Sequence, residues 1–179
     1  MKKHMLMAVV LGVMGYAGAA SAANDASATF TWSGSVPAAP ISTGFIIKDS
    51  AGNDIERGAL LFSVDDAGKG SLMSAENLNF NVYEYDGTTV GTAATTYSYQ
   101  LTSLMATKDG LPQEQDANGY YAIEADGVKL VKEAVATAKP TGGVTTLTVV
   151  PSGIAAPSNQ PNAGEAVDVH ARIVISGAV

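Results

Sequence analysis

Apolar and polar residues alternate strictly in two segments near opposite ends of the chain. Ala28, Phe30 and Trp32 alternate with small polar residues, and apolar side chains recur at every second position from 167 to 175. Side chains of a β-strand point alternately to its two faces, so each segment is predicted to be a strand with one buried face. The buried face of the C-terminal strand is predicted to carry Val167, Val169, Ala171, Ile173 and Ile175.

Shorter strand patterns fill most of the chain between these segments. Turn-forming pairs such as Asp86-Gly87 and Asp126-Gly127 separate them. The loop before the last strand is predicted to span residues 151–164. Regularly spaced short strands with such turns favour an all-β sandwich or barrel. The predicted internal strands are residues 45–48, 59–64, 78–82, 96–104, 120–124 and 145–150.

One segment has a helical rather than a strand pattern. Val128, Val131, Val135 and Ala138 recur at helical spacing before Pro140. This spacing predicts a short helix over residues 128–138.

The first residues have the three parts of a secretory leader. Lys2 and Lys3 precede an apolar run over residues 5–16, and a small-residue stretch ends at Ala22. The alternative is a membrane anchor, but the apolar run is shorter than the roughly 20 residues that span a bilayer. Residues 1–22 are therefore predicted to be a signal peptide, which implies export.

Charge and composition limit the classes of function. Because the leader holds two of the ten basic residues and none of the seventeen acidic ones, the net charge falls from −7 to −9 after cleavage. So acidic a chain lacks the basic surface that holds nucleic acid, and no nucleic-acid partner is expected. The chain has no cysteine, so an ordinary core or a partner must stabilise its one domain.

Candidate catalytic chemistry is sparse. The predicted mature chain has one histidine, His170, which would share the outward face of the last strand with Asp168 and Arg172. Such alternation is ordinary for a solvated strand face, and no G-x-S-x-G, P-loop or H-E-x-x-H motif occurs. Neither enzymatic activity nor a cofactor is expected.

A partial calcium-loop pattern occurs around residue 116. Glu114, Asp116 and Asn118 occupy the first, third and fifth positions of such a loop, but Ala125 stands where the bidentate glutamate belongs. The same residues suit a hairpin turn, and whether they bind calcium is left open.

The N-terminal strand pattern belongs to a longer motif. Thr29, Phe30, Trp32 and Gly34 lead into a turn formed by Val36, Pro37, Ala39 and Pro40. This stretch resembles the N-terminus of major fimbrial subunits of the chaperone-usher pathway, most closely the cysteine-free colonisation-factor pilins of the coli surface antigen five type. Many pilins carry a disulfide and a penultimate tyrosine, whereas this chain has neither and ends in Ala178-Val179.

The resemblance implies an incomplete immunoglobulin-like sandwich that lacks its final strand. Residues 34–179 would form the pilin domain, and residues 23–33 would be an extension that completes a neighbouring subunit, with Ala26, Ala28, Phe30 and Trp32 as donor residues. The buried face of the last strand would form the acceptor edge and the chaperone contact. The implied partners are identical subunits, a periplasmic chaperone, an outer-membrane usher, a tip adhesin and a host receptor.

Two other interpretations remain open from the residues. Alternating terminal strands also occur in an ordinary closed sandwich. A closed sandwich could be a secreted monomeric module that binds a carbohydrate or a host protein through exposed aromatic residues. The candidates for that role are Tyr83, Tyr85, Tyr97, Tyr99, Tyr120 and Tyr121.

Overall fold

The computed structural model describes residues 44–108, 110–116, 118–154 and 157–179. All of them belong to one compact unit, Ala38–Val179. The predicted leader, the extension over residues 23–33 with its four donor residues, and the motif that ends at Pro40 lie outside the described residues.

The described residues form an all-β structure. Apart from one 3-10 turn, η1, their regular elements are strands, and they include no α-helix. The elements are β1 (Gly44–Lys48), β2 (Leu60–Val64), β3 (Gly70–Ala75), β4 (Leu78–Tyr85), β5 (Val90–Ala93), β6 (Tyr97–Lys108), β7 (Leu111–Glu114), β8 (Tyr121–Ala125), β9 (Val128–Lys129), β10 (Thr137–Lys139), β11 (Thr145–Pro151), η1 (Pro157–Asn159) and β12 (Val169–Ser176).

The strands pair in three antiparallel sheets. The first has the order β1-β4-β11-β8-β9, with β5 also paired to β4. The second has the order β10-β6-β12, with β7 also paired to β6. The third is the hairpin β2-β3. Seven of the strands, namely β1, β2, β4, β6, β8, β11 and β12, confirm the sequence-based predictions to within a few residues.

The core lies between the first and second sheets. Phe80 and Val82 of β4 pack with Tyr97 and Tyr99 of β6, and all four are at most 4% exposed. The rings of Phe80 and Tyr99 meet edge to face, with centroids 6.3 Å apart. Two sheets that share one apolar interior form a sandwich, which confirms the predicted all-β class.

The helix predicted over residues 128–138 is wrong. Asp126 and Gly127 both have positive φ, 50° and 80°, as in the tight turns that join antiparallel strands, and they connect β8 to β9. A third residue with positive φ, Glu133 at 59°, bends the chain again before β10. The turn at residues 126 and 127 therefore determines the local structure, and the helical spacing of the valines does not produce a helix.

The loop over residues 130–136 connects the two large sheets on the β9–β10 side of the sandwich. The backbone N–H of Leu130 donates to the carbonyl of Ile123 in β8 at 2.8 Å, and that of Glu133 donates to the carbonyl of Leu101 in β6 at 2.8 Å. The side-chain amide of Gln100 donates to the carbonyl of Ala134 at 2.7 Å. These bonds close one lateral side of the sandwich.

We expect Gly142→Ala to destabilise the fold more than Gly143→Ala. Both glycines have positive φ, 59° and 81°, but a Cβ at 142 would overlap the carbonyl oxygen of Ala94, whereas a Cβ at 143 meets nothing within 4 Å. Gly143→Ala should cost about 1–2 kcal/mol from its backbone conformation alone. Urea denaturation of both variants measures the difference, and equal losses would contradict the close approach at residue 142.

Candidate strand-accepting groove

An apolar groove of about 750 Å³ runs between the first sheet and the outer edge of β12. We call it the β12 groove. Its walls come from β1, β2, β4, β8 and β11, from the segment over residues 55–59, and from residues 76, 165 and 167–173. Six residue steps along its β12 side, from 167 to 173, correspond to about 20 Å of strand. Its apolar lining comprises Ile47, Ile55, Leu60, Phe62, Leu78, Phe80, Ile123, Leu147, Val149, Val167, Val169, Ala171 and Ile173.

Strand β12 offers a backbone edge to this groove. Along one side it pairs with β6 from Val169 to Ser176, with a bulge between Arg172 and Ile173. None of the other described strands pairs with its second side. The same holds for β1, which pairs with β4 alone among the described strands. Unpaired N–H and C=O groups along a strand form a template for another strand.

Burial differs between the centre of the core and the residues around it. Leu101, Leu104 and Ala125 are at most 5% exposed, as are Phe80 and Ile123, which line the groove. The apolar residues of β1, β11 and β12 that pack against this core are only half-buried. These half-buried residues are Phe45, Ile47, Leu147, Val149, Val169, Ile173 and Ile175. The interior is therefore incompletely covered along β12.

The predicted acceptor residues lie along this edge with two differences from the expected strand. Val167, Val169, Ala171 and Ile173 line the groove, but Val167 precedes the first residue of β12 and Ala171 is exposed. Ile175 is not part of the groove wall and packs beside the cluster of Phe80, Val82 and Tyr97. Alternation identified the face, while the position of the groove depends on strands distant in the sequence.

Charged residues form the rim of the groove. Asp168, His170 and Arg172 lie on its β12 side, and Glu56 and Arg57 lie on the opposite side. All five are exposed. Asp168 is held by its backbone, since its carbonyl accepts from the N–H of Thr107 at 2.9 Å. The sequence pattern gave no indication of Glu56 and Arg57, which lie outside any strand.

The residues of the partial calcium loop are engaged with protein groups. Glu114 accepts a hydrogen bond from Lys132 at 2.7 Å, and this bond raises the pKa of Lys132. Asp116 accepts from the backbone N–H of Asn118 at 2.7 Å, as in a hairpin turn. Among the described residues, no group of three acidic or histidine side chains is placed to hold a metal ion.

Most of the tyrosines proposed for an aromatic binding surface are core residues. Tyr97, Tyr99, Tyr120 and Tyr121 are at most 7% exposed. The hydroxyl of Tyr97 donates to the carbonyl of Gly143 at 2.6 Å and lies 2.7 Å from Thr145 Oγ1. Burial raises the pKa of Tyr97, Tyr99 and Tyr121. The binding-module interpretation would need these side chains exposed, and the structure instead buries all four. Tyr83 and Tyr85 are half-buried on β4.

Comparisons with known proteins do not identify a family for the chain. No family model matches it, and no curated protein has a significantly similar sequence. Among the described residues, no helix has the length and apolar character needed to cross a membrane.

Proposed function

We propose that the chain is the major structural subunit of a bacterial surface fimbria that supports adhesion to host cells. In this proposal a signal peptide directs it through the periplasm, where a chaperone covers the β12 groove. An outer-membrane usher then passes it to the growing fibre. It has no catalytic role and holds no cofactor; a tip adhesin and a host receptor are the further partners that the resemblance implies.

The observation that carries the proposal is the β12 groove, an apolar cleft beside an edge strand that pairs on one side among the described residues. A β-strand from another chain supplies what such a cleft lacks, because its backbone bonds to the edge and its alternate side chains fill the cleft. The eleven residues 23–33 extend to about 36 Å. This length exceeds the roughly 20 Å of groove along β12.

The energetics also support strand donation. Phe30 and Trp32 would each contribute about 1.5–3 kcal/mol on leaving water, and each backbone hydrogen bond to β12 would add about 0.5–1.5 kcal/mol. An apolar cleft left in water favours aggregation. A chaperone strand in the groove before assembly would prevent that.

The two sides of the sandwich favour a linear polymer. The loop over residues 130–136 joins the sheets on one side, and in this proposal each copy has one acceptor, along β12, and one donor, its N-terminal extension. A head-to-tail contact that does not close on itself propagates into a filament. A single-domain subunit of this kind suits the shaft of the fibre.

The alternative function is a secreted monomeric binding module. The burial of four of its six candidate tyrosines removes most of the surface that would bind a ligand. Periplasmic expression with and without a matching chaperone separates the two functions. Recovery of a stable monomer without the chaperone would favour the binding module.

Replacing both Phe30 and Trp32 with aspartate should abolish polymer formation while chaperone-bound subunit stays soluble. Charged side chains cannot enter an apolar groove without a large desolvation cost. The matched control places the same two charges at Ser27 and Ser33, whose positions alternate to the outward face of the donor strand. Electron microscopy and the ladder of polymers on unheated gels report assembly. Fibres of normal length from the Phe30 and Trp32 variant would refute the donor role.

Ile173→Asp should abolish chaperone capture and polymerisation, because Ile173 lines the groove and is half-buried. Ile175→Asp is also expected to reduce capture and polymerisation, because Ile175 lies on the same face of β12, two residues after Ile173. Val174→Asp is the matched control, since Val174 is 39% exposed and points to the opposite face. Co-purification with the chaperone measures capture. Equal capture of the Ile173 and Val174 variants would remove β12 from the acceptor role.

A further inference from the structure

The two arginines of the chain, Arg57 and Arg172, both lie on the rim of the β12 groove. Both are exposed, and neither guanidinium has a hydrogen-bond or ion-pair partner among the described residues. The lysines behave differently, because each lysine whose side chain is described donates to an oxygen of the same chain. These are Lys48, Lys69, Lys129, Lys132 and Lys139.

The segment proposed to occupy the groove carries one charge. Between residues 23 and 43 the sequence contains no lysine or arginine and one acidic residue, Asp25. Asp25 precedes the apolar donor residues, so its position along the groove depends on the direction in which the donor strand runs. The unpaired rim cations and this single anion are complementary in sign.

We propose that Asp25 of one copy forms an ion pair with Arg172 of the next copy, and that this pair fixes the direction and register of the inserted strand. The inference rests on the proposed function and adds to it a residue that determines specificity. The pair requires the donor to run antiparallel to β12.

The strand register agrees with this pairing. In an antiparallel ladder, residues directly opposite each other point to the same face. Placing Asp25 opposite Arg172 sets both on the outward face and brings the even-numbered donor residues opposite the odd-numbered, groove-facing residues of the acceptor. The resulting inward pairs are Ala26 with Ala171, Ala28 with Val169, and Phe30 with Val167, and Trp32 comes opposite Glu165 just beyond the first residue of β12.

A donor strand running parallel to β12 would place Asp25 near other acidic side chains. If the donor ran parallel to β12, with Phe30 and Trp32 at the Ile173 end, Asp25 would lie near the start of β12. Asp168 and Glu165, which precede the first residue of β12, line the groove, and like charges repel. On the opposite rim, Arg57 is the competing cation, so the test must separate it from Arg172.

The test measures how tightly the acceptor binds a synthetic peptide of residues 23–33. The acceptor is the full chain with Phe30→Asp and Trp32→Asp, which cannot donate its own extension. Fluorescence anisotropy at low salt is expected to show about twofold to fivefold weaker binding for Arg172→Gln, the usual range for an exposed ion pair. A larger loss is expected for Arg172→Glu, and a peptide with Asp25→Lys should restore its binding. The advantage of Arg172 should shrink at high salt.

Arg57→Gln is the matched control, and it should bind the unmodified peptide as tightly as the parent acceptor does. If Arg172→Gln and Arg172→Glu also bind it as tightly, the register pair is refuted and strand donation stands. If loss occurs at Arg57 instead, the assignment to Arg172 is wrong. If the parent acceptor binds no peptide, the proposed function itself fails.

A second measurement applies should the acceptor not remain soluble. Two full-chain variants are exported with the chaperone, one carrying Arg172→Glu alone and the other carrying Arg172→Glu together with Asp25→Lys. The polymer length of each is measured. Shorter polymers that recover in the double variant support the pair, whereas equal lengths for all chains refute it.

Discussion

The structure depends on how the apolar interior is covered along β12. Val169 and Ile173 of β12, together with Leu147 and Val149 of β11, are only half-buried, and no described strand pairs with the outer side of β12. Apolar burial is the main favourable contribution to folding. A strand added at this edge would therefore contribute both to the stability of the domain and to contact between copies.

The two lateral sides of the sandwich are built differently. On one side, backbone bonds from residues 130 and 133 tie β8 to β6. On the other side, the boundary consists of exposed rim charges above an apolar floor. The proposed function assigns the accepting role to the β12 side.

Alternation in the sequence was enough to predict seven strands and the inward face of β12. It missed β5, β7, β9 and β10, which have two to four residues and are too short to show a period. It also missed the six-residue β3, whose sequence Gly-Ser-Leu-Met-Ser-Ala does not alternate strictly. The helical spacing of Val128, Val131 and Val135 was misleading, because the turn at Asp126-Gly127 fixes the backbone there.

The groove could not be predicted from the alternation of residues, for a different reason. Its walls join β1, β4 and β11 to β12, strands far apart in the sequence. Alternation likewise did not reveal that Tyr97 and Tyr99 are buried, since a tyrosine suits either face of a sheet. Local patterns define strands well, but sites formed between them depend on the tertiary arrangement.

The loop over residues 130–136 has a consequence for how the surface can change over evolution. Its attachment to the sheets uses the backbone N–H groups of Leu130 and Glu133 and the backbone carbonyl of Ala134, while Val131 and Val135 are 71% and 94% exposed. Substitution at these two valines would leave the anchoring bonds intact. The outer surface of this loop can therefore diverge in sequence while the backbone path between the two sheets is kept.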